Sequence, residues 1–120
     1  MPVAHLGVGA SSRATAEEIR DLVDTVLAQG GTGWEAVGSI ATTEVLAGDP
    51  RLGRLGLPVV GFAAGVLAAV TDVAPSARAQ AEIGVGSVAE AAALLAAGPG
   101  ARLVVRKARS AHATAALASQ

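Results

Sequence analysis

The chain has 120 residues, a formal net charge of −1 at pH 7 and no cysteine. That length gives room for one domain with one core, and the missing thiols exclude disulfides, thiolate metal sites and cysteine nucleophiles. An apolar share of 52% with 29 alanines and only two aromatics, Trp34 and Phe62, makes a core of small side chains, in which close backbone approach replaces bulk.

A short apolar run from Ala4 enters Gly7-Val8-Gly9, passes through Ala10-Ser11-Ser12-Arg13 and continues into an amphipathic segment, which predicts strand, glycine turn, helix. Ile19, Leu22, Val23, Val26 and Leu27 recur at helical spacing, with Glu18, Asp21 and Asp24 on other faces. Thr15 and Glu18 form a capping-box pair, the hydroxyl accepting from the Glu18 N–H while the carboxylate reaches back; Gly30-Gly31 ends the helix. Such a turn gathers backbone N–H groups, the Ser11 and Ser12 hydroxyls and the positive end of a helix dipole at the carboxyl edge of a sheet, which suits an anionic ligand.

Further along, Trp34 reads as an aromatic lid on the core edge, and Val37 to Thr42 as a second strand. Asp49 caps a short helix opened by Pro50, with Leu52 and Leu55 as its buried pair. Pro58 to Phe62 is a buried strand, Val66 to Val70 one or two helical turns, and Pro75-Ser76 opens a short helix through Arg78 and Glu82. Gly84-Val85-Gly86-Ser87 then repeats the opening pattern, with Ser87 as cap and Glu90 three places on, into a nearly all-apolar helix over 88–97 that needs burial on several sides. Gly98-Pro99-Gly100 stops it; Leu103 to Val105 is a strand, and Ala113 to Ala118 fits a last strand, antiparallel at an edge, or a frayed terminal helix, the strand being preferred. Alternating strands and helices point to a single α/β domain over 1–120 with a partly parallel sheet.

Charge is unevenly spread. Residues 1–50 carry two arginines against seven acids, whereas residues 51–120 carry seven bases against three acids, four of them (Arg102, Arg106, Lys107, Arg109) within eight residues. A nucleic-acid surface calls for a larger basic excess and aromatic platforms, so no nucleic-acid partner is expected. A dinucleotide fingerprint fails because Ser12 replaces the third glycine and the second strand offers no acid. His5 and His112 share no metal-ligand spacing, so neither a metal nor a cofactor is expected. The uncharged run from Leu55 to Thr71 is interrupted by Pro58 and several glycines and is too short to span a bilayer; with no signal-peptide pattern at Met1, cytoplasm is the expected compartment and no membrane is involved. If the two glycine corners open on one sheet edge, they become two walls of one cleft.

The segments Gly7 to Ser12 into Ala16-Glu17-Glu18-Ile19, Ile40-Ala41-Thr42 through Asp49-Pro50 to Pro58, Gly84 to Ala93, and Leu103-Val104-Val105 with Lys107 to Ser110 and Ala113 to Ala115 resemble the CobE/CbiG C-terminal domain family of cobalamin biosynthesis. The likeness runs over nearly the whole chain in order, and Gly84 to Ala92 is its most specific part. It implies a three-layer α/β/α sandwich with a mostly parallel mixed sheet, closest to the free-standing CobE form, that takes a corrin or precorrin small molecule. The ligand-binding candidates are Gly7, Gly9, Ser11, Ser12, Arg13, Gly86, Ser87 and Glu90, with Lys107 and Arg109 at the mouth for the carboxylate rim of the ring. Two alternatives stand beside binding. One is opening of the δ-lactone of cobalt-precorrin-5A with release of acetaldehyde, Glu90 or His112 activating water and the Gly86 and Ser87 amides holding an oxyanion. The other is a non-catalytic domain that docks on another cobalamin-pathway enzyme through Val59 to Val70. The chain departs from relatives that carry a Cys and basic residues after the first Gly-x-Gly, having Ala10, Ser11 and Ser12 there, and it has Val45 and Leu46 where a basic residue often follows the central Ala-Thr pair.

Overall fold

The computed structural model describes residues 3–73 and 85–120, and the layering follows from the first strand, β1 (Ala4–Ala10). Ala4, Leu6 and Val8 enter an apolar core with helix α1 (Ala16–Gly30), while Gly7 stands on the other face. Because successive strand residues point to opposite faces, Gly7 and Gly9 leave one side of the strand bare and Leu6 and Val8 fill the other. The Gly-x-Gly run is therefore strand and not the turn expected; the chain turns afterwards, at Ser12-Arg13.

Thr15 caps α1, its Oγ1 accepting from the Glu18 N–H at 3.0 Å, and Gly31 at φ +63° closes the helix with its N–H on Ala28. The five predicted apolar positions of α1 are all buried. A 3₁₀ turn at Trp34–Ala36 leads into β2 (Val37–Thr43), parallel to β1. Trp34 packs on the margin of the core, donates from Nε1 to Asp24 Oδ1 at 2.7 Å and has the Arg20 guanidinium 5.4 Å from its ring centroid, so it is a lid fastened to α1. Two single-turn helices follow, α2 (Glu44–Ala47) capped by Thr43 and α3 (Pro50–Gly53) capped by Asp49, with Leu52 and Leu55 buried. Then come β3 (Val59–Phe62), α4 (Ala64–Val73), α5 (Val85–Ala97), β4 (Arg102–Arg109) and β5 (Ala113–Ser119).

Among the described residues one sheet runs in the order β3-β2-β1-β5-β4. β1, β2 and β3 are parallel neighbours, and β5 is antiparallel to both β1 and β4. β5 is thus an interior strand, where an edge position was expected. Ala113 to Ala118 are all buried, which demands cover on both faces and both flanks, whereas β4 exposes Arg102, Arg106 and Arg109 and breaks register twice. A charged, bulged strand suits an edge because it resists further pairing.

Helices α1 and α3 cover the face of Leu6, Val8, Ile40 and Leu117; α4 and α5 cover the face of Ala41, where Leu67, Ala91 and Ala92 cluster. This is the expected three-layer α/β/α arrangement. Where α5 meets the sheet it is alanine, and Ala89, Ala92 and Ala93 are wholly buried. A Cβ on Gly7 would lie 1.8 Å from the Ala89 carbonyl oxygen and 2.8 Å from the Ala93 nitrogen, so helix backbone rests directly on strand backbone. α5 begins at Val85, three residues before the expected start, which puts Gly86 and Ser87 inside its first turn and removes Ser87 from the cap. Gly84 and the short helix expected from Pro75 through Glu82 lie outside the described residues. No helix among the described residues is long and apolar enough to cross a membrane.

Candidate functional site

From β1 the chain proceeds through α1 to β2 on one side, while the neighbour on the other side, β5, comes last in chain order. In open α/β sheets ligands bind beyond the carboxyl ends of the parallel strands. A cavity of about 400 Å³ lies beyond the carboxyl ends of the parallel neighbours β1 and β2. Gly9 and Ala10 come to it from the end of β1, Ser12 from the following turn, and Thr43 and Leu46 from the β2–α2 junction. Val88 brings the first turns of α5 to the same cavity, so the start of that helix opens on the same edge as the start of α1. Val45, 91% exposed, forms an apolar lip.

Arg51 organises the polar side of this cavity. Its Nη1 donates to the Ser11 carbonyl at 2.8 Å and the Ala14 carbonyl at 2.6 Å, gripping both ends of the Ser12-Arg13 turn. Its Nε and Nη2 donate to the two carboxylate oxygens of Asp49 at 3.0 and 2.8 Å. These hydrogen bonds hold the Asp49 carboxyl below its ordinary range and raise Arg51 above its own. Asp49 Oδ1 also accepts from the Arg51 N–H at 2.8 Å, which caps α3. The order Asp49-Pro50-Arg51 announces that cap in the sequence; the reach of the guanidinium to carbonyls 40 and 37 residues away does not follow from it, and Arg51 was missed.

A second polar cluster joins α1 to the β4–β5 turn. The Glu18 carboxylate accepts from the Ser110 hydroxyl and from the His112 N–H at 2.7 Å, so the return leg of the expected capping box goes to a distant turn instead of the local backbone. The Ser110 hydrogen bond, then that of His112, lowers the Glu18 pKa. Two hollows flank this cluster, one of about 610 Å³ between α1 and the end of β4 and one of about 390 Å³ around the turn itself; Arg109 and Ser110 line both.

The ten predicted residues are dispersed among these places. Gly9 and Ser12 line the main cavity, with Arg13 exposed on the turn beside it. Ser11 faces the adjoining 390 Å³ hollow with Arg109 and His112, and its own groups are spent on the turn: the N–H donates to His112, the carbonyl accepts from Arg51, and Oγ accepts from the Arg13 N–H at 3.2 Å. Gly7 lies under α5 with no room for a ligand atom. Gly86 and Ser87 are helical, at the end of α5 that opens on the cavity edge. Glu90 accepts the Lys107 N–H at 3.1 Å, at the second bulge of β4. The Lys107 Nζ is shielded from solvent without a hydrogen-bond partner among the described residues, and Lys107 is not among those lining the three hollows. His5, at the opposite end of β1, bonds Ser39 Oγ at 2.8 Å, and burial lowers its pKa. No cluster of three or more His, Asp or Glu suited to a metal ion occurs among the described residues.

The family model for the cobalamin synthesis G C-terminus matches residues 4–118. Protein CobE of Sinorhizobium sp. is 36% identical over 119 residues, covering 94% of this chain and 77% of that protein. The crystal structure of CobE, a protein from the cobalamin biosynthetic pathway, superposes with a TM-score of 0.80 at 32% identity, covering 99% of this chain and 91% of that one. The cobalamin biosynthesis protein chiG from Agrobacterium tumefaciens follows at 0.71 and 29% identity, with 97% of each chain covered. The chain therefore belongs to the family of the cobalamin synthesis G C-terminus, and is a cobalamin-biosynthesis protein of the CobE type.

Proposed function

We propose that the chain binds a precorrin or corrin intermediate in the crevice at the carboxyl end of β1. The observation that carries this reading is the chemistry of the 400 Å³ cavity: a strand end without side chains at Gly9, apolar Val45, Leu46 and Val88, and the Ser12 and Thr43 hydroxyls, all in one place. Corrin precursors present a broad apolar ring with acetate and propionate side chains at its rim. Gly9 and Ala10 allow flat approach, the apolar residues meet the ring, and the hydroxyls meet its polar edge. Arg13 is exposed and its guanidinium has no side-chain bond among the described residues, so it is free to take a carboxylate. Arg109 and His112, across the Ser11 turn, stand ready for a second one. Each charged hydrogen bond contributes about 1.5–3 kcal/mol, so affinity in the micromolar range needs several together.

Titration with hydrogenobyrinic acid, followed by its visible spectrum, tests the reading. A saturable shift that weakens in Arg13→Ala is expected; no shift at high micromolar ligand overturns it. Hydrolytic opening of a lactone draws less support, because among the described residues the cavity lining carries neither carboxylate nor imidazole and the Glu90 carboxylate holds the Lys107 N–H. Acetaldehyde release from a precorrin-5A substrate is the result that favours it. Docking on another pathway enzyme is favoured by one observation, the exposure of Val60 and Val66 at β3 and α4, and co-elution of the two proteins is its test.

A further inference from the structure

We infer that the Asp49–Arg51 pair is the positioning device of the binding crevice: Arg51 stands in the cavity wall, but its role is to set the Ser12-Arg13 turn and not to pair with ligand charge. The inference rests on the proposed binding role for its consequence, but its geometry is independent of it. Arg51 has five N–H donors, and four are engaged, two on Asp49 and one each on the Ser11 and Ala14 carbonyls. Its positive charge faces the Asp49 carboxylate at 2.8 Å, so little of it is left for an anion. The two carbonyls bracket Ser12 and Arg13, the hydroxyl and the free guanidinium that the proposed function uses. The pair is only partly exposed, at 21% for each side chain, and it comes from α3, which is anchored in the core by Leu52. A rigid element thus carries a planar fork that holds a loop, and pre-organising a loop improves affinity by lowering the ordering cost on binding. Lysine cannot replace it, because one ammonium cannot hold a bidentate carboxylate and two separate carbonyls together.

Three variants, Arg51→Lys, Arg51→Met and Asp49→Asn, separate positioning from charge. Each is titrated with hydrogenobyrinic acid at low and high salt, and each is exposed to trypsin, with cleavage after Arg13 measured against cleavage after Arg102. Positioning predicts that Lys and Met at residue 51 weaken binding alike, about tenfold, with the wild-type dependence on salt, and that cleavage after Arg13 rises severalfold relative to Arg102 in all three. Global loosening moves both cleavages together. Normal binding by Arg51→Lys beside failure of Arg51→Met makes the residue a ligand cation and overturns the inference. So does tighter binding by Asp49→Asn, or an unchanged cleavage ratio. If Arg51→Met does not fold, the other two variants decide the same question. If the wild type binds no corrin, the proposed function fails, while the cleavage ratio still decides whether the pair holds the turn.

Discussion

At Gly7 the space of the missing side chain is taken by the Ala89 carbonyl, while two residues on, Gly9 lines the cavity at the strand end. A Gly-x-Gly motif reads identically in both uses, and only the partner packed above the strand separates them. Gly7→Ala should therefore cost about 3 kcal/mol in urea or thermal unfolding, since the obstacle is helix backbone that must lift as a body. Val45 shows the converse. At 91% exposed it has almost nothing to lose within the fold, so Val45→Ser should leave stability within about 0.5 kcal/mol of wild type. The same change should weaken corrin binding about fivefold, by removing roughly 1 kcal/mol of apolar contact. Equal affinity in titration removes Val45 from the site.

Among the elements, α1 was fully legible because its apolar stripe, its Thr15 cap and its Gly31 end agree. The short helix at Pro50 was legible for the same reason. What local pattern could not supply was the far partner of a polar side chain. Glu18 sits where a capping box requires it and turns instead to Ser110 and His112, more than 90 residues away. That contact carries a pH signature. The Glu18 pKa lies below its ordinary value near 4.5 when folded, so the ionised carboxylate favours the folded state above that value. The contribution is lost as pH falls through the lowered pKa. Glu18→Gln should accordingly be less stable than wild type at neutral pH, and the two unfolding curves should converge on acidification; a gap that persists at pH 2 contradicts the assignment. The cap expected at Ser87 was misplaced because α5 begins at Val85, and an alanine-rich helix offers no internal contrast by which to fix its start.

For the molecule as a whole, composition announced the architecture better than any motif did. With 29 alanines and two aromatics, the layers can only be held by close approach, and the wholly buried Ala89, Ala92, Ala93, Ala115 and Ala116 are where that happens. Strand order was not legible, because pairing is a relation between distant segments; the all-apolar β5 was consistent with any covered position. Its interior place predicts a gradient of protection. Amides of β1 and β5 should be the slowest to exchange with deuterium and should open only in global unfolding, while β3, four residues long with Val60 exposed, should exchange sooner. Mass-resolved exchange with faster loss in β5 than in β3 contradicts this placement.

The pairing of β1 with β5 joins Ala4 to Ser119, so β1 must wait for a strand made long after it. Until β5 emerges from the ribosome, the flank of β1 that it will occupy is bare, and the nascent parallel half is an open template for other chains. Refolding should show the slow kinetics of a topology dominated by contacts between sequence-distant segments.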